Sequence, residues 1–229
     1  MNNIKPLGRK NYGSIGHLPN SRLGPKDKHI HQGQAEIATL KTRDENDLVI
    51  VQEKLDGSNV GVCKVNGDII PIVRAGYSAL SSPYKMHHVF HDWVMGNEGR
   101  FIDILEEGER ICGEWMYQAH GTIYKLNHDP FVAFDVFSAK NERLLYEDFL
   151  ALVDHLHATP KLIHAGGALP VEKALTILGD YGFHGAKEKC EGLVYRVERN
   201  GVVDFLCKYV RKGKRDGKYL NDEVVLNEM

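Results

Sequence analysis

Glu53-Lys54-Leu55-Asp56-Gly57-Ser58-Asn59 follows directly on the apolar run Leu48-Val49-Ile50-Val51. Four consecutive branched aliphatic residues read as a strand, and Asp-Gly reads as a tight turn, so this stretch delivers a lysine to a strand end. By itself a K-x-D-G string is a weak signal, since a hairpin corner beside an exposed lysine looks the same. Its meaning depends on the chain downstream.

Downstream lies a series of short strand-like segments, each ending in one group useful to nucleotide chemistry. Arg74 sits in Ile72-Val73-Arg74-Ala75-Gly76, and Glu114 in Ile111-Cys112-Gly113-Glu114-Trp115. Phe134 lies within Phe131-Val132-Ala133-Phe134-Asp135-Val136-Phe137. Glu191 opens Glu191-Gly192-Leu193-Val194-Tyr195-Arg196, and Lys208 closes Val202-Val203-Asp204-Phe205-Leu206-Cys207-Lys208. The order Lys, Arg, Glu, aromatic, Glu, Lys is far more specific than any one of its members. Each also has a plain structural alternative: the three Phe rings at 131, 134 and 137 suit a core, and Arg74 suits a solvated loop.

With these motifs in order, residues 51 to 209 resemble the covalent nucleotidyltransferase superfamily of polynucleotide ligases and capping enzymes, and within it the ATP-dependent RNA ligases. Lys54 stands at the family's nucleophile, Glu114, Phe134 and Glu191 at its third motif, following aromatic motif and fourth motif, and Lys208 at its fifth. Asn59, five residues after the nucleophile, is typical of RNA ligases that seal breaks in duplexes. One position departs from the pattern: many relatives carry K-x-K in the fifth motif, where this chain has Leu206.

The resemblance implies a chemistry that explains the residue types. Lys54 attacks the α-phosphate of ATP to form a phosphoramidate, storing AMP on the enzyme. A free lysine, with a reference pKa near 10.4, is neutral in only about one copy in a thousand at pH 7.4, so positive charge or desolvation must favour the neutral amine. Lys208 and a divalent cation are expected to provide it. Asp56, Glu114 and Glu191 are the expected carboxylates around that cation, acting mostly through its waters, which points to Mg2+, with Mn2+ as the alternative. Phe134 is expected to stack on adenine, Arg74 to reach the ribose or a phosphate, and the Glu53 backbone to read the base edge, with Asn59, Glu114, Glu191 and Lys208 completing the nucleotide site. AMP then passes to a 5′-phosphate, and a 3′-hydroxyl displaces it to seal the strand. Positioning and charge neutralisation supply most of such catalysis.

The composition is that of a chain able to bury a full core: 229 residues, 42% hydrophobic and 26% charged. Cys63, Cys112, Cys190 and Cys207 contain no C-x-x-C pair and read as reduced thiols. Met1-Asn2-Asn3-Ile4-Lys5-Pro6 lacks a leader's apolar stretch, and no run approaches a membrane span. A cytoplasmic monomer with no membrane contact is expected. The net charge of −2 excludes nucleic-acid coating through bulk charge. Basic residues are concentrated instead at Lys208-Tyr209-Val210-Arg211-Lys212-Gly213-Lys214-Arg215 and around Arg22, Lys26 and Lys28, as a solvated face or as phosphate contacts. His87, His88 and His91 lack suitably spaced partners for a metal and read as surface.

Residues 1–35, rich in Gly, Pro, Asn and basic residues, read as an irregular N-terminal arm, and 36–229 as the nucleotidyltransferase domain. Helical periodicity marks 84–107, 146–158 and 171–179, and strands are expected at 191–197 and 202–209. The resemblance implies an α+β, ATP-grasp-like fold of antiparallel sheets flanked by helices. Residues 209–229, all that follow Lys208, are too few for the β-barrel (OB) domain that DNA ligases append, so no such domain is expected. The expected partners are RNA ends or a nicked duplex, including a DNA/RNA hybrid. A DNA or mixed nick ligase and a catalytically inactive nucleotide- or RNA-binding module are the alternatives.

Overall fold

The computed structural model describes residues 4–220 and 224–229. In chain order the elements are β1 (Gly16–His17), α1 (Gln32–Thr39), β2 (Asp47–Lys54), β3 (Ser58–Val65), β4 (Asp68–Val73), α2 (Lys85–Gly96), α3 (Gly99–Ile102), β5 (Arg110–Trp115), β6 (Phe131–Phe137), α4 (Tyr146–Val153), β7 (Leu162–Gly166), α5 (Val171–Leu178), β8 (Gly192–Arg199) and β9 (Val202–Val210). They form two sheets in two compact units, and the α+β architecture of mainly antiparallel sheets is the one expected.

One unit comprises residues 1–13, 57–118 and 129–159 and holds the four-stranded sheet β4-β3-β5-β6, antiparallel throughout. The turn from β3 to β4 is Asn66-Gly67, both with positive φ (55° and 82°), the two-residue geometry that matches strand twist and favours Asn-Gly. Phe90 and Val94 lie one turn apart on α2 and are fully buried, with Phe90 stacked on Phe131 at 5.8 Å and tilted against Trp115 at 5.2 Å. Each such side chain contributes roughly 1.5–3 kcal/mol by leaving water. The single helix expected over 84–107 is divided between α2 and α3, because Gly96, Asn97 and Gly99 disfavour its continuation.

The other unit comprises residues 14–56, 119–128 and 160–229 and holds the sheet β1-β9-β8-β2-β7, in which only the β1–β9 pair is parallel. β2 runs between β7 and β8, so Val49, Ile50 and Val51 are buried on both faces, which accounts for a continuous apolar run rather than an alternating one. The β8–β9 turn is again Asn-Gly, Asn200 and Gly201 with φ of 51° and 75°. At the head of β2, Asp47 lies directly opposite Arg199 on β8; its fully buried carboxylate accepts from Arg199 and Arg43 at 3.0 and 2.6 Å. The Arg43 hydrogen bond holds that carboxyl down at about 2. Because a one-residue slip would separate these charges, they fix the β2–β8 register.

β2 and β3 do not pair with each other, so Asp56-Gly57 is no hairpin corner but the point where the chain leaves one sheet for the other. Among the described residues no helix is long and apolar enough to cross a membrane.

Candidate active site

The five-stranded sheet carries Lys54 at the end of β2, directly opposite Gly192, the first residue of β8. Glu191 is the residue before that strand, and its Oε2 lies 2.6 Å from Lys54 Nζ. Lys54 also donates to the Leu55 carbonyl at 3.2 Å. Gly192 permits this junction because a Cβ there would sit 1.9 Å from the Tyr209 carbonyl oxygen of β9. The pair is largely shielded, with side-chain exposures of 20% for Lys54 and 9% for Glu191.

Two residues on, Asp56 Oδ2 accepts from the Gly121 amide at 3.0 Å and the Thr122 hydroxyl at 3.3 Å, and Lys214 Nζ lies 3.1 Å away. Lys214 belongs to the basic run that reads as a solvated face or as phosphate contacts, yet its side chain is only 6% exposed. His120, next to Gly121, lies outside the expected set. Burial lowers its pKa, with the Asp56 carboxylate opposing and the Lys54 ammonium reinforcing that shift. The only signal in the sequence for either was the basic run ending at Arg215 and the glycine after His120, neither of which names a partner.

Glu53 alternates to the opposite face of β2 from Lys54. It is fully buried, accepts from the Phe183 amide at 2.8 Å, and is pushed by burial up to about 7. Lys208 Nζ lies 3.9 Å from Asp27 Oδ1, and the same Asp27 carboxylate meets His17 Nε2 at 3.1 Å and the Gly24 amide at 2.9 Å. Burial alone would raise the Asp27 pKa, but Gly24, Lys208 and His17 together bring it below the ordinary value. Opposite Leu206 on β8 stands Arg196, buried and bonded to Glu198 at 2.6 Å, so a cation does adjoin the position where relatives carry a lysine, balanced by its own carboxylate.

The four-stranded sheet carries the remaining expected residues. Asn59 on β3 lies directly opposite Glu114 on β5, and Glu114 Oε1 accepts from the Gly57 amide at 3.0 Å. The Asn59 Oδ1 atom is buried without a hydrogen-bond partner among the described residues. Of the three phenylalanines on β6, Phe131 and Phe137 are core, while Phe134 is half-buried with its ring 5.1 Å from Tyr12. Arg74 is exposed; its carbonyl accepts from the Asn11 and Tyr12 amides and its guanidinium reaches the Gly13 carbonyl at 3.4 Å. Among the described residues, no three His, Cys, Asp or Glu side chains gather closely enough to ligate a metal directly.

Residues 47–210 match the RNA ligase family. The chain belongs to that family. Its fold is shared with solved RNA ligases at low sequence identity. A variant of the Naegleria gruberi RNA ligase solved with ATP and Mn is 17% identical and superposes with a TM-score of 0.55, covering 88% of this chain and 60% of that one. The same ligase solved with PPi is 18% identical at a TM-score of 0.55, covering 85% and 58%. An archaeal ATP-dependent RNA ligase, 18% identical over 87% of this chain and 48% of that one, superposes with a TM-score of only 0.46. This RNA ligase family member thus spans about 60% of the length of the Naegleria relative. No curated protein matches it.

Proposed function

We propose that this chain is an ATP-dependent, AMP-forming RNA ligase that joins a 5′-phosphate to a 3′-hydroxyl. The observation that carries the reading is Lys54 at the end of β2, 2.6 Å from Glu191, within the stretch that matches the RNA ligase family. Forms of the Naegleria ligase solved with ATP and Mn, with AMP and Mn, and with PPi support ATP and a divalent metal as the ligands proposed for this chain.

Lys54 Nζ attacks the α-phosphorus of ATP: the N–P bond forms, the bond to the bridging oxygen breaks and pyrophosphate leaves. The amine must shed a proton to do so, and Glu191 is the acceptor within hydrogen-bond reach. An oxygen of the polynucleotide 5′-phosphate next attacks the lysine-bound phosphorus, returning Lys54 as an amine. The 3′-hydroxyl then attacks that 5′-phosphate and AMP departs, leaving a phosphodiester. A divalent cation, when bound, would supply charge neutralisation on the phosphates, and Asp56 and Glu191, both in the unit of the five-stranded sheet, would offer it carboxylate oxygens. Water-mediated contact suits Mg2+ or Mn2+, since among the described residues no three such side chains gather for direct ligation. In the unit of Lys54, Lys208 would contribute positive charge and the Glu53 backbone would serve the adenine edge.

The proposed substrate is a nick or break in duplex RNA, including hybrid duplexes, supported by Asn59 five residues after Lys54. RNA repair by a cytoplasmic monomer is the corresponding role, with which four unpaired thiols are compatible. The test is incubation with magnesium or manganese and α-labelled ATP, then peptide mapping, followed by joining of nicked duplexes with ribose or deoxyribose at each side. Label on Lys54 and joining at ribose ends are the expected results. Nucleotide binding with no covalent label under any metal would leave a binding module, and sealing that requires deoxyribose would leave a DNA ligase.

A further inference from the structure

Beside Asp56, within the unit that holds the five-stranded sheet, lies an open pocket of about 420 Å³ whose walls come from residues 188–190 and 211–218, with Gly121 at its base. Five of its residues are cations: Lys189, Arg211, Lys214, Arg215 and Lys218. Three carboxylates answer them. Lys214 pairs with Asp56, Lys218 with Glu188 at 2.5 Å, and Asp180 meets Lys189 at 3.4 Å and Arg211 at 3.8 Å. Positive charge is therefore in excess around the cavity, although the chain as a whole is net −2.

Two details mark this excess as built to receive an anion. Arg211 Nε is buried with no hydrogen-bond partner among the described residues, although the same guanidinium donates through Nη2 to the Gly179 carbonyl at 2.5 Å. A buried donor left unmade is costly unless a ligand completes it. Arg215 is exposed at the rim and makes no ion pair among the described residues. The chain packs closely at Gly121: a Cβ there would lie 2.3 Å from the Arg215 carbonyl and 2.8 Å from Asp56 Oδ2.

We propose that this pocket and its rim grip successive backbone phosphates of the polynucleotide strand, separately from the Lys54–Glu191 pair. The inference rests on the ligase reading and names the surface by which that site holds its second substrate. A net-negative protein cannot draw a strand by bulk charge, so its grip has to be local, and cations spread along two chain segments match a run of phosphates better than a single ion. The pocket adjoins Asp56, two residues after the proposed nucleophile and in the same unit.

The test is a fluorescence-anisotropy titration of a labelled single-stranded 5′-phosphorylated RNA, without ATP, over a range of salt, comparing the full chain with the Arg215→Gln/Lys218→Gln variant. Both residues are exposed, and a thermal melt checks the fold; should the double variant not fold, Arg215→Gln alone is used. The expected result is roughly tenfold weaker binding with a salt slope lower by about 1.4, given about 0.7 per single-strand phosphate contact. Lys173→Gln on the exposed face of α5 should leave both unchanged. An unaltered affinity and slope in the pocket variant overturns the proposal. So does a variant that keeps its RNA affinity but loses inhibition by inorganic pyrophosphate, which would assign the pocket to the nucleotide's phosphates. Since the titration omits ATP, failure of Lys54 to take up label would sink the ligase reading without altering this result.

Discussion

The Lys54 ammonium and the Glu191 carboxylate meet at 2.6 Å because β2 ends where β8 begins, with Lys54 opposite Gly192 in the ladder. The candidate nucleophile is thus held by sheet register rather than by a flexible turn. Lys54→Ala is expected to abolish the labelled adduct. It should also lower stability by about 1–3 kcal/mol, because it removes the cation facing a mostly buried carboxylate. Mass analysis after incubation with ATP and a denaturant titration check the two parts, and a variant that still takes up AMP would sink the mechanism.

Gly192→Ala is expected to cost about 2–4 kcal/mol, because the new methyl would meet the Tyr209 carbonyl at 1.9 Å and one strand would have to move. The same shift would carry Glu191 away from Lys54. A lowered unfolding midpoint accompanied by slower adenylylation is the outcome to look for, and unchanged kinetics would show that the register tolerates the displacement.

Glu53 gives a pH dependence of definite sign. Its carboxyl is raised by burial to about 7, from an ordinary value of 4.5, so the folded state binds more protons than the unfolded one between those limits. Stability from this group is greatest below pH 4.5 and falls as pH rises to 7, by about 3 kcal/mol at most. Glu53→Gln retains an acceptor for the Phe183 amide and removes the titration. The difference in unfolding free energy between variant and parent should therefore move in the variant's favour from pH 5 to pH 7.5, and a constant difference would contradict the assignment.

How much of this was legible in sequence depended on range. The Leu48–Val51 run, the strands at 192–199 and 202–210, and the helices beginning at 146 and 171 all follow from local periodicity and were placed within a few residues. The order of Lys54, Glu114, Glu191 and Lys208 was equally plain. Pairing was not. Nothing in Leu162–Gly166 announces a partner for β2, and nothing in Lys212-Gly213-Lys214-Arg215 shows that only Lys214 turns inward to Asp56. Burial of a charge depends on residues distant in sequence, and no local pattern encodes it.

Lys214→Gln should cost about 2–4 kcal/mol, since it leaves Asp56 shielded and without its ammonium. Asp56→Asn together with Lys214→Gln should cost less than the sum of the two single changes by about 1–3 kcal/mol, measured as a double-mutant cycle in denaturant. Simple additivity would mean that the two side chains do not act on each other.

The four thiols are buried, and burial pushes Cys63 and Cys207 up to about 12 and raises Cys112 and Cys190 as well. At pH 8 a thiol of that kind is ionised in only on the order of one copy in ten thousand. Iodoacetamide should label the native protein far more slowly than the unfolded one, and rapid loss of adenylylation on alkylation would contradict this.

The threading of the chain bears on its synthesis. β2 is made before both strands that flank it, since β7 and β8 lie beyond residue 160, and β9 closes the sheet only at Val210. On the ribosome, the Leu48–Val51 run must wait without its neighbours while more than a hundred further residues are added. Neither unit is a continuous stretch, so no single truncation isolates either one. A nascent chain released before Gly192 carries Lys54 but lacks β8 and β9, the strands that complete the sheet on one side of β2.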